Sequence, residues 1–241
     1  MSATVYSTEL ARYTETGFQE VEGWLGQGEV QLTESFDRFQ KKLDIAGDVC
    51  EIGVHHGRYF ILLYLLRRPT ERAFAIDLFE NQELNIDGSG AGSLAELTKN
   101  IEIHCSDRRS YVPLKLDSLS VSANDFDRHT SNGRFRLFSI DGGHTPVHTS
   151  HDLGLAETTL APGGIVMLDD VFNREWPGVF EGWARYMLLN CATTLAPVVI
   201  GGNKVFLTTA SYHQKYLDAL ETSGLQILRR TKVFSWPVLI M

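Results

Sequence analysis

Glu51-Ile52-Gly53-Val54-His55-His56-Gly57-Arg58 stands between a short apolar run, Asp48 to Ile52, and a helical run, Phe60 to Arg67. Gly53 permits a tight turn there, and Gly57 lets backbone approach a molecule held at the helix N-terminus. The spacing is E-x-G-x-x-x-G, whereas a dinucleotide pyrophosphate wants G-x-G-x-x-G at this point. Gly88-Ser89-Gly90-Ala91-Gly92-Ser93 approaches that pattern but follows no strand and lacks the last glycine.

Downstream, strand and helix alternate. Ala73 to Ile76 reads as a second strand ending at Asp77, and Val112 to Leu116 as a third ending at Asp117-Ser118. Phe135 to Ile140 is a fourth, ending at Asp141. Ile165 to Leu168 is a fifth, after an expected turn at Ala161-Pro162-Gly163-Gly164, and it ends at Asp169-Asp170. Helices are expected over Ser93 to Ile103, from Thr145-Pro146, and over Pro177 to Leu189. Late strands flank Gly201-Gly202, and Gln226 to Leu228 or Val233 to Ile240 closes the sheet. Such alternation implies a parallel sheet covered on both faces, with ligands at the carboxyl ends of the strands. Nearly every strand here ends in an acid. Asp77 is placed to accept bonds from ribose hydroxyls. Glu80 to Gly92 exceeds the roughly 2–6 residues usual for such a connection and reads as a lid.

The 241 residues are 43% hydrophobic, enough for a real core. Lys and Arg number 22 against 30 Asp and Glu, a net charge of −8 with no basic run. Nucleic acid and anionic membranes are poor partners for such a surface. The longest apolar stretch, Phe60 to Leu66, is far short of the ~18 residues of a membrane span. The polar start carries no secretory signal, and Cys50, Cys105 and Cys191 form no CxxC, so the cytoplasm is expected. Residues 1–47, with Val21, Trp24, Leu25, Leu32, Phe36 and Phe39 in apolar clusters, read as a helical cap on a domain spanning 48–241. There is no G-x-S-x-G, G-x-x-x-x-G-K-[ST] or H-E-x-x-H, so hydrolase, P-loop and zincin chemistries lack their parts.

From about Val21 through the late strands the chain resembles the class I S-adenosylmethionine-dependent methyltransferases. EIGVHHGR looks like the first motif of that family, AIDLF the second and LKLDS the third; SIDGGHT and GGIVMLDDV look like its fourth and fifth strands. The resemblance implies an α/β, Rossmann-like fold with a seven-stranded, mostly parallel sheet and a final antiparallel strand. It places Gly53 and Gly57 under the methionine part of the cofactor, with Glu51 also among the cofactor-binding residues. Asp77 falls on the ribose, Asp117 and Ser118 beside the adenine, and Asp141 at the edge of the pocket.

Asp141, Asp169 and Asp170, at two adjacent strand ends, offer hard oxygen ligands for Mg²⁺. This arrangement is similar to metal-dependent O-methyltransferases, including the macrocin-type sugar enzymes. In a regular strand Asp169 and Asp170 would point to opposite faces, so they share a metal only if the strand has already ended. His144 sits where some of those enzymes keep a general base, and a neutral imidazole suits removal of a hydroxyl proton. The other reading makes His144 a helix cap. The expected function is methyl transfer to a hydroxyl of a small molecule, a sugar or secondary metabolite. An NAD(P)-dependent oxidoreductase and a catalytically inactive cofactor-binding protein stay open, as does a homo-oligomer.

Overall fold

The computed structural model describes residues 8–107, 111–127 and 134–241. Among the described residues three segments precede the sheet: α1 (Thr8–Glu15), a short 3-10 turn at Gly17–Glu20, and α2 (Gln27–Lys42). Then follow β1 (Asp48–Ile52), α3 (Arg58–Leu66), β2 (Ala73–Asp77), α4 (Leu94–His104), β3 (Tyr111–Lys115), α5 (Ala123–Asp127) and β4 (Phe135–Ile140). The second half runs α6 (Pro146–Thr159), β5 (Leu160–Leu168), α7 (Pro177–Leu189), β6 (Leu195–Gly201), β7 (Lys204–Thr209), α8 (His213–Glu221), β8 (Arg229–Val233) and β9 (Trp236–Ile240).

Among the described residues one sheet holds nine strands, in the order β3-β2-β1-β4-β5-β7-β6-β9-β8. It is parallel from β3 to β5 and β7 runs antiparallel between β5 and β6. This is the expected Rossmann-like frame of seven strands. The sheet then continues, because the C-terminal residues pair β9 parallel to β6 and fold β8 back on it.

Side chains alternate faces along each strand, so a strand covered on both sides must be apolar throughout. Val49, Leu137, Ile165 and Met167 face one core with α1, α2, α3 and α8, whereas Cys50, Ile52, Phe138 and Val166 face a second with α6 and α7. Leu10, Tyr13, Phe36 and other residues of the N-terminal helices belong to the first core.

Residues 161–164, expected as a turn before β5, lie within that strand. Leu160 pairs with Phe135 and Ile165 with Leu137, leaving the extra residues as an irregularity. Gly163, at φ +79°, takes a backbone shape that a side chain would strain, and so the strand continues through it. Among the described residues no helix is long and apolar enough to cross a membrane.

Candidate active site

A cavity of ≈ 1200 Å³ opens at the carboxyl ends of β1, β2, β4 and β5, roofed by the segment after β2 and by residues 22–32. The order switch at β1, which pairs with β2 on one side and β4 on the other, creates this crevice.

The turn after β1 is shaped by backbone approach. Gly53 has φ +81°, and a Cβ there would stand 1.7 Å from the Asp141 carbonyl oxygen. Gly57, at φ +92°, opens α3, where a Cβ would stand 2.5 Å from Leu97 Cδ1. Asp77 holds the loop. Its Oδ2 accepts the N–H groups of Val54 (2.7 Å) and His55 (2.8 Å), and its Oδ1 accepts that of Phe79 (2.6 Å). Burial raises the pKa of Asp77 and those three bonds oppose the rise. Glu51 is turned by strand alternation onto the α3 face. Ser139 Oγ donates to its Oε1 at 3.3 Å, while Oε2 is buried with no hydrogen-bond partner among the described residues. Burial, then the Asp141 charge, lifts its carboxyl well above the usual range.

Asp117 Oδ1 accepts the Leu119 N–H at 3.0 Å and lies 3.5 Å from His148 Nε2. Ser118 Oγ donates to the buried Asp152 at 3.1 Å. Both residues line the cavity.

The acid trio separates. Asp141, Asp170 and His144 present ligand atoms within 4.8 Å of one another, whereas Asp169 forms an ion pair with Lys204. The strand has ended at Leu168, as a shared site requires, but Asp170 takes a left-handed φ of +56° and its carboxylate parts from that of Asp169. Asn173 Nδ2 donates to Asp170 Oδ1 at 3.0 Å. Of the expected trio, the structure thus brings Asp141 and Asp170 together beside His144 and leaves Asp169 on Lys204.

His144 lies in the loop before α6, where Thr145 rather than His144 caps the helix by accepting the His148 N–H. Its Nε2 faces Asp170 Oδ2 at 3.2 Å and Asp141 Oδ1 at 3.8 Å without hydrogen-bond alignment, and its ring stacks on Trp176 at 4.4 Å. Burial opposes its positive charge, but Asp141, Asp170 and Asp87 outweigh burial and push the pKa up to about 10.

Lys204, Asp87 and Trp176 were not singled out in the sequence. A lysine opening an apolar strand at this edge was the available sign for Lys204. Among the described residues, the two long cations on the cavity wall are both engaged: Arg58 bonds the carbonyls of Phe18 and Gly23, and Lys204 meets Asp169 and, at 3.7 Å, Glu29.

A family profile described as a methyltransferase domain matches residues 50–171. Among solved structures, the chain is similar to the O-methyltransferase NovP, with TM-score 0.61 and 16% identity, covering 76% of this chain and 80% of that one. CalS11, a TDP-rhamnose 3'-O-methyltransferase of calicheamicin biosynthesis, gives TM-score 0.56 and 20% identity over 84% of this chain and 95% of that one. MycE, a methyltransferase of the mycinamycin pathway solved with Mg, SAH and mycinamycin VI, gives 0.53 and 15% over 84% and 55%. No curated protein matches the sequence.

Proposed function

The chain belongs to the class I S-adenosylmethionine-dependent methyltransferases, and from that premise we propose that it methylates a hydroxyl oxygen of a small molecule with the help of a divalent cation. The observation that carries this reading is the meeting of Asp141, His144 and Asp170 beside the Gly53 turn. Two carboxylates from different strand ends, with a buried ring nitrogen lacking a hydrogen-bond partner between them, fit a hard cation that keeps positions open for oxygen. Asp141 and Asp170 would hold Mg²⁺, and Asp169 would join them only by leaving Lys204. A bound Mg²⁺ supplies Lewis acidity toward the acceptor hydroxyl. MycE was solved with Mg, which agrees with this assignment.

Bound S-adenosylmethionine supplies the methyl group from its sulfonium. Around it, Gly53 and Gly57 give the backbone room and Asp77 fixes the loop. Glu51 Oε2, buried without a donor, offers an acceptor for the cofactor's ammonium. Asp117 and Ser118 border the adenine. His144 Nε2 takes the acceptor's proton. A cation on Asp141 and Asp170 would offset two of the three carboxylates that lift its pKa, leaving Asp87, and so favours the neutral ring.

The acceptor is uncharged or cationic. With Arg58 and Lys204 engaged and carboxylates all around, the described wall has no free long-chain cation for a diphosphate. Trp24, Leu84, Ile86 and Leu228 are exposed at the cavity and suit an apolar portion of the acceptor. Calorimetry with SAH, with NAD as control, tests the cofactor. Transfer of labelled methyl to a panel of glycosides, phenols and nucleotide sugars, with and without chelator, tests the rest. Labelled uncharged glycosides or phenols, abolished by EDTA and restored by Mg²⁺, are expected. Heat with NAD alone, or methyl unaffected by chelator, would overturn the corresponding half.

A further inference from the structure

We propose that Asp87, carried by the loop that roofs the cavity, is the positioning residue for His144. It sets which ring nitrogen holds the proton, so that the base is assembled only when the loop is seated. The inference rests on the reading of His144 as the base.

One carboxylate oxygen does two jobs. Asp87 Oδ2 accepts the backbone N–H of His144 at 2.9 Å and faces its ring Nδ1 at 2.8 Å. Oδ1 is occupied by Ser89, whose N–H and Oγ donate to it at 2.8 and 2.6 Å. Ser89 Oγ also lies 3.2 Å from His144 Nδ1. With its hydrogen given to Asp87, that hydroxyl presents only lone pairs to the ring. An ionised carboxylate likewise only accepts. Both partners of Nδ1 therefore demand a proton on Nδ1, and with a cation on Asp141 and Asp170, which otherwise are acceptors too, the lone pair of the neutral ring is left on Nε2. That nitrogen faces Asp141 and Asp170, where the acceptor hydroxyl would bind. Stacking on Trp176, with planes 15° apart, holds the ring against rotation.

The loop is built as a unit. Asn85 Nδ2 donates to the Ser89 carbonyl at 2.8 Å, and Asn85 Oδ1 accepts the Gly88 N–H at 3.1 Å. Glu80 anchors the base of the loop through Leu94 N–H and Lys115 Nζ, each at 2.8 Å. Asp87 and Ser89 join this unit to the wall that carries His144. Lifting the loop would thus free Nδ1 and the proton could settle on either nitrogen.

The test is ¹⁵N NMR on the full chain with labelled histidine, in the presence of SAH and Mg²⁺, taken to the pH at which the His144 ring is neutral. His144→Gln assigns the signals. In the parent, Nδ1 is expected in the protonated range and Nε2 in the unprotonated range. Asp87→Ala should move the proton to Nε2 or to an average of the two. Asp87→Asn, offering a neutral oxygen in place of the anion, should move it part of the way and serves if the alanine variant does not fold. On an acceptor found by the panel, Asp87→Ala should lower kcat by up to about 10²-fold, the scale of a misplaced catalytic group, more than it raises KM. An unchanged Nδ1 proton in both variants, or a parent ring protonated on Nε2, would sink the proposal. Undiminished turnover in His144→Ala would instead sink the base reading and leave the nitrogen assignment standing.

Discussion

At the amino ends of the strands Arg136 is fully buried, and every part of its guanidinium is met. Asp37 bonds Nη1 at 3.0 Å, Glu71 bonds Nε at 3.0 Å, Gln40 bonds Nη1 at 2.9 Å, and the Leu66 carbonyl takes Nη2 at 3.0 Å. At the carboxyl ends of the same sheet, Glu51 Oε2 and His144 Nε2 are buried with no hydrogen-bond partner among the described residues. Buried charge is costly unless it is paired and hydrogen-bonded. At the first end Arg136 meets that condition within the chain, and Asp37 Oδ2, though without a hydrogen-bond partner among the described residues, is ion-paired to Lys41 at 2.8 Å, so this end is structural. The second leaves acceptors and a base facing a cavity, which is how a protein keeps free energy available for a ligand.

The contrast can be broken most forcefully from below. Arg136→Met strands Asp37 and Glu71 in the core and should cost about 3–5 kcal/mol in urea unfolding, the scale for breaking a buried pair. A loss close to that of a surface substitution would mean the network is not structural. At the upper end, Asp77→Ala removes the acceptor of three backbone N–H groups and should weaken SAH binding by about 1–3 kcal/mol, read by calorimetry. Unchanged affinity would detach the loop from the cofactor.

Glu51→Gln should act in the opposite direction and stabilise the ligand-free protein by about 0.5–2 kcal/mol, as relief of a strained functional site does. Its raised pKa fixes the sign. Between the unfolded pKa and the higher folded one, the folded state binds more protons, so stability falls as pH rises through that window. The advantage of the variant should therefore widen with pH, and a flat difference in melting curves would contradict the buried charge. Smallest of all, Arg185→Ala breaks an exposed pair with Glu181 on α7 and should change stability by no more than ~0.5 kcal/mol.

Much of this arrangement was legible in sequence because it depends on local pattern. Apolar strands each closing on an acid, and glycines at Gly53 and Gly57, report the sheet edge directly. β9 lies within Val233 to Ile240, one of the two runs read as closing the sheet, but its partner β8 escaped because Arg229 to Val233 is largely polar and lacks the apolar run of a covered strand. The parting of Asp169 from Asp170 depends on Lys204, a partner 35 residues away that no local spacing signals. Asp87 was hidden in a lid read as glycine-rich cover, although Asn85, Asp87 and Ser89 are residues that bond their own turns. Its contact with His144 spans 57 residues and is visible only in the fold.

The rims of the sheet carry a consequence for life at high concentration. On one side β3 is outermost, and Pro113 at its centre has no N–H to offer a visiting strand. On the other, β8 places Arg229, Arg230 and Lys232 along the border, largely in solvent. A second copy approaching edge to edge would meet a missing donor at one border and matching positive charge at the other. Stacking of sheets into fibrils is thereby discouraged at both borders. Among the described residues, both margins of the nine-stranded sheet are thus built to turn a visiting strand away.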